Sequence, residues 1–128
     1  MRIIYLAGPM SGLPDLNKES FERGAAELRA LGYKVVSPTE VNGCCESKSW
    51  LHYMRVDLKE LLKCNTIALL DGWHKSRGAS IEAFIAGVLG YGIYMENPQG
   101  GWMQVGRGHI GSMVDSDDTI DWWIGGQV

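Results

Sequence analysis

Four short stretches carry residue types that could do chemistry. Ser76-Arg77-Gly78-Ala79-Ser80-Ile81-Glu82 stands where a polar loop gives way to an apolar helical pattern. Gly78 and Ser80 fall at the mouth of that helix, where free backbone N–H groups and the helix dipole favour an anion, and the Ser76 hydroxyl could add a donor. Glu82 falls in the predicted first turn. It could complement the dipole, or its carboxylate could act in a site. Asp57 lies mid-helix in Met54-Arg55-Val56-Asp57-Leu58-Lys59, where aspartate is a poor helix former. It could join Arg55, Lys59 and Glu60 on a solvated face, or serve as a second working acid. Tyr5 lies inside an apolar run, as a core aromatic whose hydroxyl finds a partner or as a site group. The run ends in Gly8-Pro9-Met10-Ser11-Gly12, a loop with room for a ligand to approach the backbone.

Other patterns carry less. Gly106-Arg107-Gly108-His109-Ile110-Gly111 fits GxGxxG. A dinucleotide fingerprint also needs a strand before it, a helix after it and an acid about 20 residues on. Met113-Val114-Asp115-Ser116 is a poor helix start, so a glycine-rich loop is the better reading. The three cysteines, Cys44, Cys45 and Cys64, form no disulfide framework. With no CxxC, no HExxH and no zinc spacing, neither a metal nor a cofactor is expected. Reduced thiols and the absence of a signal-like apolar run at the start point to a cytoplasmic protein. No stretch approaches the roughly 20 apolar residues of a membrane span. The net charge of −3 disfavours a nucleic-acid-binding face while leaving room for a local anion pocket.

These residues need elements to hold them. The 128 residues, 45% hydrophobic and 21% charged, suit one globular domain. Ile3–Ala7 reads as a buried strand. Phe21, Ala25, Leu28 and Leu31 recur at helical spacing across 17–31, with Gly32 as the stop. Tyr33–Ser37 is a second strand, and 38–48 has no period and reads as a loop. A helix is expected from about Ser49, with Leu51, Met54, Leu58, Leu61 and Leu62 forming its apolar face. Thr66–Leu70 is a third strand, a helix runs from about Ser80 to Leu89, and Gly92–Met95 is a fourth strand. Such alternation predicts a three-layer α/β domain, flavodoxin-like or Rossmann-like, with a mostly parallel sheet of four to five strands. Ligands bind such sheets at the carboxyl ends of the strands. From about Asn97 the chain becomes a Gly/Trp-rich tail. Its Trp122-Trp123-Ile124 is expected to pack on the sheet or on a second subunit.

Taken together, in order and spacing, Tyr5–Gly12, Met54–Leu58 with Cys64-Asn65-Thr66-Ile67, and Ser76–Ala83 resemble the nucleoside 2-deoxyribosyltransferase-like family. That family includes 2′-deoxynucleoside 5′-monophosphate N-glycosidases and small phage and bacterial relatives. The resemblance covers residues 2 to about 95. It implies an enzyme that cleaves or exchanges the N-glycosidic bond of a deoxynucleoside or its 5′-monophosphate. The family's nucleophilic glutamate falls on Glu82, its helix aspartate on Asp57 and its first-strand tyrosine on Tyr5. Gly8, Met10, Ser11, Gly12, Asp71, Ser76, Gly78 and Ser80 become the implied substrate contacts. Ser76 occupies the phosphate-binding serine position of the monophosphate hydrolases, where the free-nucleoside transferases typically carry aspartate. Pro9 and Ser11 depart from the hydrolase pattern, which has serine and arginine there. Ala83 and Ala86 also depart from the pattern after the glutamate.

The implied chemistry needs no metal. A carboxylate can trap oxocarbenium character at the sugar carbon as a glycosyl ester, while a second acid bonds the leaving base or a sugar hydroxyl. Water then gives hydrolysis and another base gives transfer. The implied partners are a small nucleoside or nucleotide and a second copy of the chain, with Ser112 a candidate phosphate contact across a dimer. Rival expectations are a phosphoribohydrolase or NAD-type glycohydrolase, and a nucleotide-binding module without turnover.

Overall fold

The computed structural model describes residues 2–42 and 48–105. Five strands form one sheet in the order β2-β1-β3-β4-β5: β1 Ile3–Ala7, β2 Lys34–Val36, β3 Thr66–Leu69, β4 Gly92–Glu96 and β5 Trp102–Val105. The first four are parallel, and β5 runs antiparallel to β4 at the edge. The helices are α1 Lys18–Ala30, α2 Pro38–Asn42, α3 Trp50–Leu61 and α4 Arg77–Val88. The mostly parallel α/β sheet expected from the alternation is present, and β5 supplies its fifth strand from the start of the Gly/Trp-rich segment.

The layers follow from strand alternation. Ile4 and Leu6 of β1 join Phe21, Ala25 and Leu28 of α1 in one apolar cluster. Tyr5 and Ala7 face the other way, into a cluster with Leu61 of α3 and Ala79, Ala83 and Ala86 of α4. The chain steps from β1 out to β2, then back past β1 to β3. Right-handed crossovers in opposite directions place their helices on opposite faces of the sheet. The reversal leaves a crevice at the carboxyl ends of β1 and β3, where ligands of open α/β sheets bind.

Two differences from expectation matter to the site. Residues 38–42, expected as loop, form α2. Pro38 presets the first helical φ, and the Ser37 carbonyl accepts from the N–H of Glu40 and Val41 at 3.0 and 3.1 Å. Five residues are too few to show a period, but Ser37 followed three residues later by Glu40 was a readable start signal. The last helix begins at Arg77 rather than near Ser80. The Ser76 hydroxyl caps it, accepting from Ala79 N–H at 3.2 Å. Gly78 therefore sits inside the first turn. A Cβ there would come within 3.1 Å of Met54 Sδ, so glycine lets α3 and α4 approach closely.

Candidate active site

A cavity of about 1290 Å³ opens at the crevice. Gly8–Leu13 after β1, Pro38, Thr39 and Asn42 of α2, Trp50, Met54 and Asp57 of α3, and Ser76–Ala79 with Glu82 of α4 line it. Helical spacing builds the acidic end. Trp50, Met54 and Asp57 share one face of α3, Gly78 and Glu82 share one face of α4, and Met54 packs against Gly78. The close approach that Gly78 allows thus brings the two acid-bearing faces together.

Glu82 is 5% exposed and Asp57 is 7% exposed. The solvated-face alternative for Asp57 is therefore overturned: the apolar side of α3 carries it inward with Met54 and Leu61. The dipole-pairing alternative for Glu82 falls too, because with the helix starting at Arg77 the residue lies in the second turn. Tyr5, fully buried, donates its hydroxyl to Glu82 Oε2 at 2.6 Å. Asn42 Nδ2 donates to Asp57 Oδ1 at 2.7 Å.

Burial pushes the Glu82 carboxyl up to about 8, with the Tyr5 hydroxyl pulling it down and the charge of Asp57 pushing it further up. Burial also raises Asp57 to about 6, opposed by the Asn42 amide and assisted by Glu60. The Tyr5 phenol is held well above its ordinary range by burial and by Glu82, so it is a donor at every working pH. Two acids with separated ionisation are the arrangement from which acid and base roles arise.

The rim is basic. Lys18, Lys48, Lys75 and Arg77 line the cavity against Asp15. The Arg77 guanidinium stacks over the Trp50 ring at 4.5 Å. Sequence reasoning missed Asn42, Trp50 and the lysines, because no local pattern ties these positions to Glu82.

Of the other expected contacts, Gly8, Met10, Ser11, Gly12, Ser76 and Gly78 line the cavity. Ser80 and Asp71 do not. Ser80 is fully buried, its N–H is taken by the Ser76 carbonyl at 2.9 Å, and its hydroxyl is directed to the His74 carbonyl at 3.5 Å. The earlier helix start turned it from a free end group into an interior one. Asp71 lines a smaller cleft with Arg23 and Glu96, and its N–H donates to Glu96 Oε1. Ser112, the glycine-rich loop 106–111 and Trp122-Trp123 lie outside the described residues. Among the described residues no group of three or more His, Cys, Asp or Glu side chains could hold a metal, and no helix is long and apolar enough to cross a membrane.

The sheet order, the crevice at β1 and β3 and the buried acid pair define an α/β domain with a ligand cavity at the strand ends. Residues 2–95 match the family described as a domain of unknown function, DUF4406, and the chain belongs to it. No curated protein sequence matches. Among solved structures, the chain resembles a 2-deoxyribosyltransferase from the psychrotolerant bacterium Bacillus psychrosaccharolyticus, which is described as a biocatalyst for nucleoside synthesis. The likeness has a TM-score of 0.59 and 24% identity, over 75% of this chain and 72% of that one, and it establishes a shared fold.

Proposed function

We propose that the protein cleaves or exchanges the N-glycosidic bond of a deoxynucleoside or its 5′-monophosphate, with Glu82 as nucleophile. The observation that carries this reading is the buried acid pair, in which Glu82 is held by Tyr5 and Asp57 by Asn42 at the floor of one cavity. A reaction needing two carboxyl groups in different protonation states makes use of that costly arrangement. A nucleoside-processing neighbour with the same fold supports the substrate class.

Glu82 attacks the anomeric carbon as the bond to the base nitrogen breaks, and the bonding pair leaves on that nitrogen. Asp57 gives the nitrogen its proton. The glycosyl ester then passes to water or to a second base, and Asp57 recovers its proton from the incoming nucleophile. Burial alone holds the proton more tightly on Glu82 than on Asp57. Turnover requires the reverse order: a base seated against Asp57 keeps water from it and so favours its protonated form, and the Glu82 carboxylate then meets the positive charge that develops at the sugar carbon. Tyr5 stays protonated and holds the attacking carboxylate in place.

A 5′-phosphate suits the other end. Ser76 Oγ accepts from Ala79 N–H through a lone pair and keeps its own proton to donate. The N–H groups of Arg77 and Gly78 precede the first helical bond, which Ser80 makes. The experiment compares kcat/KM for a panel of deoxynucleosides and their 5′-monophosphates, with products separated by chromatography. One charge-assisted bond predicts at least about a tenfold preference for the monophosphate, lost in Ser76→Ala. A better rate with the free nucleoside removes the phosphate role. Binding without any product leaves a nucleotide-binding module.

A further inference from the structure

Asn42 lines the cavity and makes the one side-chain hydrogen bond described to Asp57, but none of the steps above runs through it. It stands at the end of α2, and that helix is fastened from outside the cavity. Arg29 donates to both carboxylate oxygens of Glu40, at 2.8 and 2.6 Å, and to the Val35 carbonyl at 3.0 Å. An amide at the end of a tethered helix can fix the orientation of its partner.

We propose that Asn42 is a positioning residue, one that holds Asp57 by Oδ1 and so reserves Oδ2 for proton transfer to the leaving group. The inference rests on the glycosidic reading. The chemistry follows from the donor's identity. Asn42 Nδ2 can only donate, so Oδ1 must accept. In the neutral acid the accepting oxygen is the carbonyl, and the hydroxyl is Oδ2. The pair therefore has a defined tautomer, with its acidic proton on the oxygen that Asn42 does not hold. The bond also favours the carboxylate that remains after the proton has left. Without it, burial and the charge of Glu60, one turn away in α3, oppose ionisation of Asp57. Of the other titratable groups nearby, Glu82 from α4 opposes it only when itself charged, and Tyr5 from β1 stays neutral. Asp57 would then be a weaker acid and free to turn.

The test uses the full chain with Asn42→Leu, which keeps the shape and removes the donor, and Asn42→Gln, which restores an amide. Asn42→Leu should lower kcat about tenfold, with KM within about twofold, because the lost bond acts on the proton-transfer step. The alkaline limb of the kcat profile, which reports loss of the Asp57 proton, should move to higher pH, and Asn42→Gln should recover most of the rate. Carbon-13 NMR of the Asp57 carboxyl, with no substrate present, should show its titration moving upward in Asn42→Leu. An unmoved titration overturns the assignment, as does a kcat loss equal in both variants with the limb unmoved. A wild type that turns over no nucleoside or nucleotide, while Asn42→Leu still shifts Asp57, supports the hold on Asp57 and overturns the glycosidase reading instead.

Discussion

The two faces of the sheet are built from the same strands and put to different use. On the α1 face, Ile4, Leu6, Phe21, Ala25, Leu28 and Leu70 make an apolar contact layer. On the α3–α4 face the cluster of Tyr5, Ile67, Leu69 and Ala83 adjoins Asp57 and Glu82, two acids almost removed from water. One residue of register in β1 separates Leu6 from Tyr5, and with it a packing position from a polar one. The first face stabilises the fold. The second surrenders stability to hold acids whose ionisation burial opposes. Substitutions on the two faces should therefore separate stability from turnover.

The sharpest contrast is Glu82→Ala. Turnover should fall by several orders of magnitude with the fold retained, since no neighbour takes over a nucleophile's role. A variant keeping more than about a tenth of the wild-type rate ends that assignment. Asp57→Asn should cost about a hundredfold or more in kcat, the range for losing a proton donor, with melting temperature near that of wild type. An unchanged rate returns Asp57 to a structural role.

On the other face, Leu28→Ala should lose about 2–5 kcal/mol of stability from a fully buried position. The rate per folded molecule should be unchanged, as measured by denaturant unfolding beside active-site-normalised kinetics. A large fall in kcat there would mean that the two layers are coupled.

The pH dependence of stability tests the acids without substrate. Glu82 titrates near 8 when folded against its ordinary 4.5, and Asp57 near 6 against 3.8. Between those limits the folded state binds more protons than the unfolded state, so stability falls as pH rises. From pH 5 to 8 Glu82 alone should remove on the order of 3 kcal/mol. Glu82→Gln should flatten the slope and be the more stable protein at pH 8. A wild-type melting temperature that rises over this range contradicts the burial argument. The smallest effect is expected at Arg23→Ala, which breaks the Arg23–Glu96 ion pair, 2.8 Å long and with its arginine half exposed. Such pairs contribute about 1 kcal/mol or less, and salt should erase the difference.

All the main elements except α2 and β5 were legible in the sequence alone. Apolar runs closed by glycine, helical spacing in Phe21, Ala25 and Leu28, and short connections leave few alternatives to a parallel sheet with ligand loops at its carboxyl ends. These signals are local, because strand and helix periods are written within a few residues. Resemblance pointed to Glu82, Asp57 and Tyr5, but their burial could not be read from periodicity. Asp57 sits among Arg55, Lys59 and Glu60 in the chain, and only the packing of α3 on β1 and α4 turned it inward. The start of α4 was decided by which serine reached a free N–H. Ser76 did, and this choice made Ser80 an interior residue. Asn42 meets Asp57 across 15 residues, and Tyr5 meets Glu82 across 77. Contacts over such separations leave no mark in local spacing; the tertiary structure alone made them, by bringing the ends of β1, α2, α3 and α4 around one cavity.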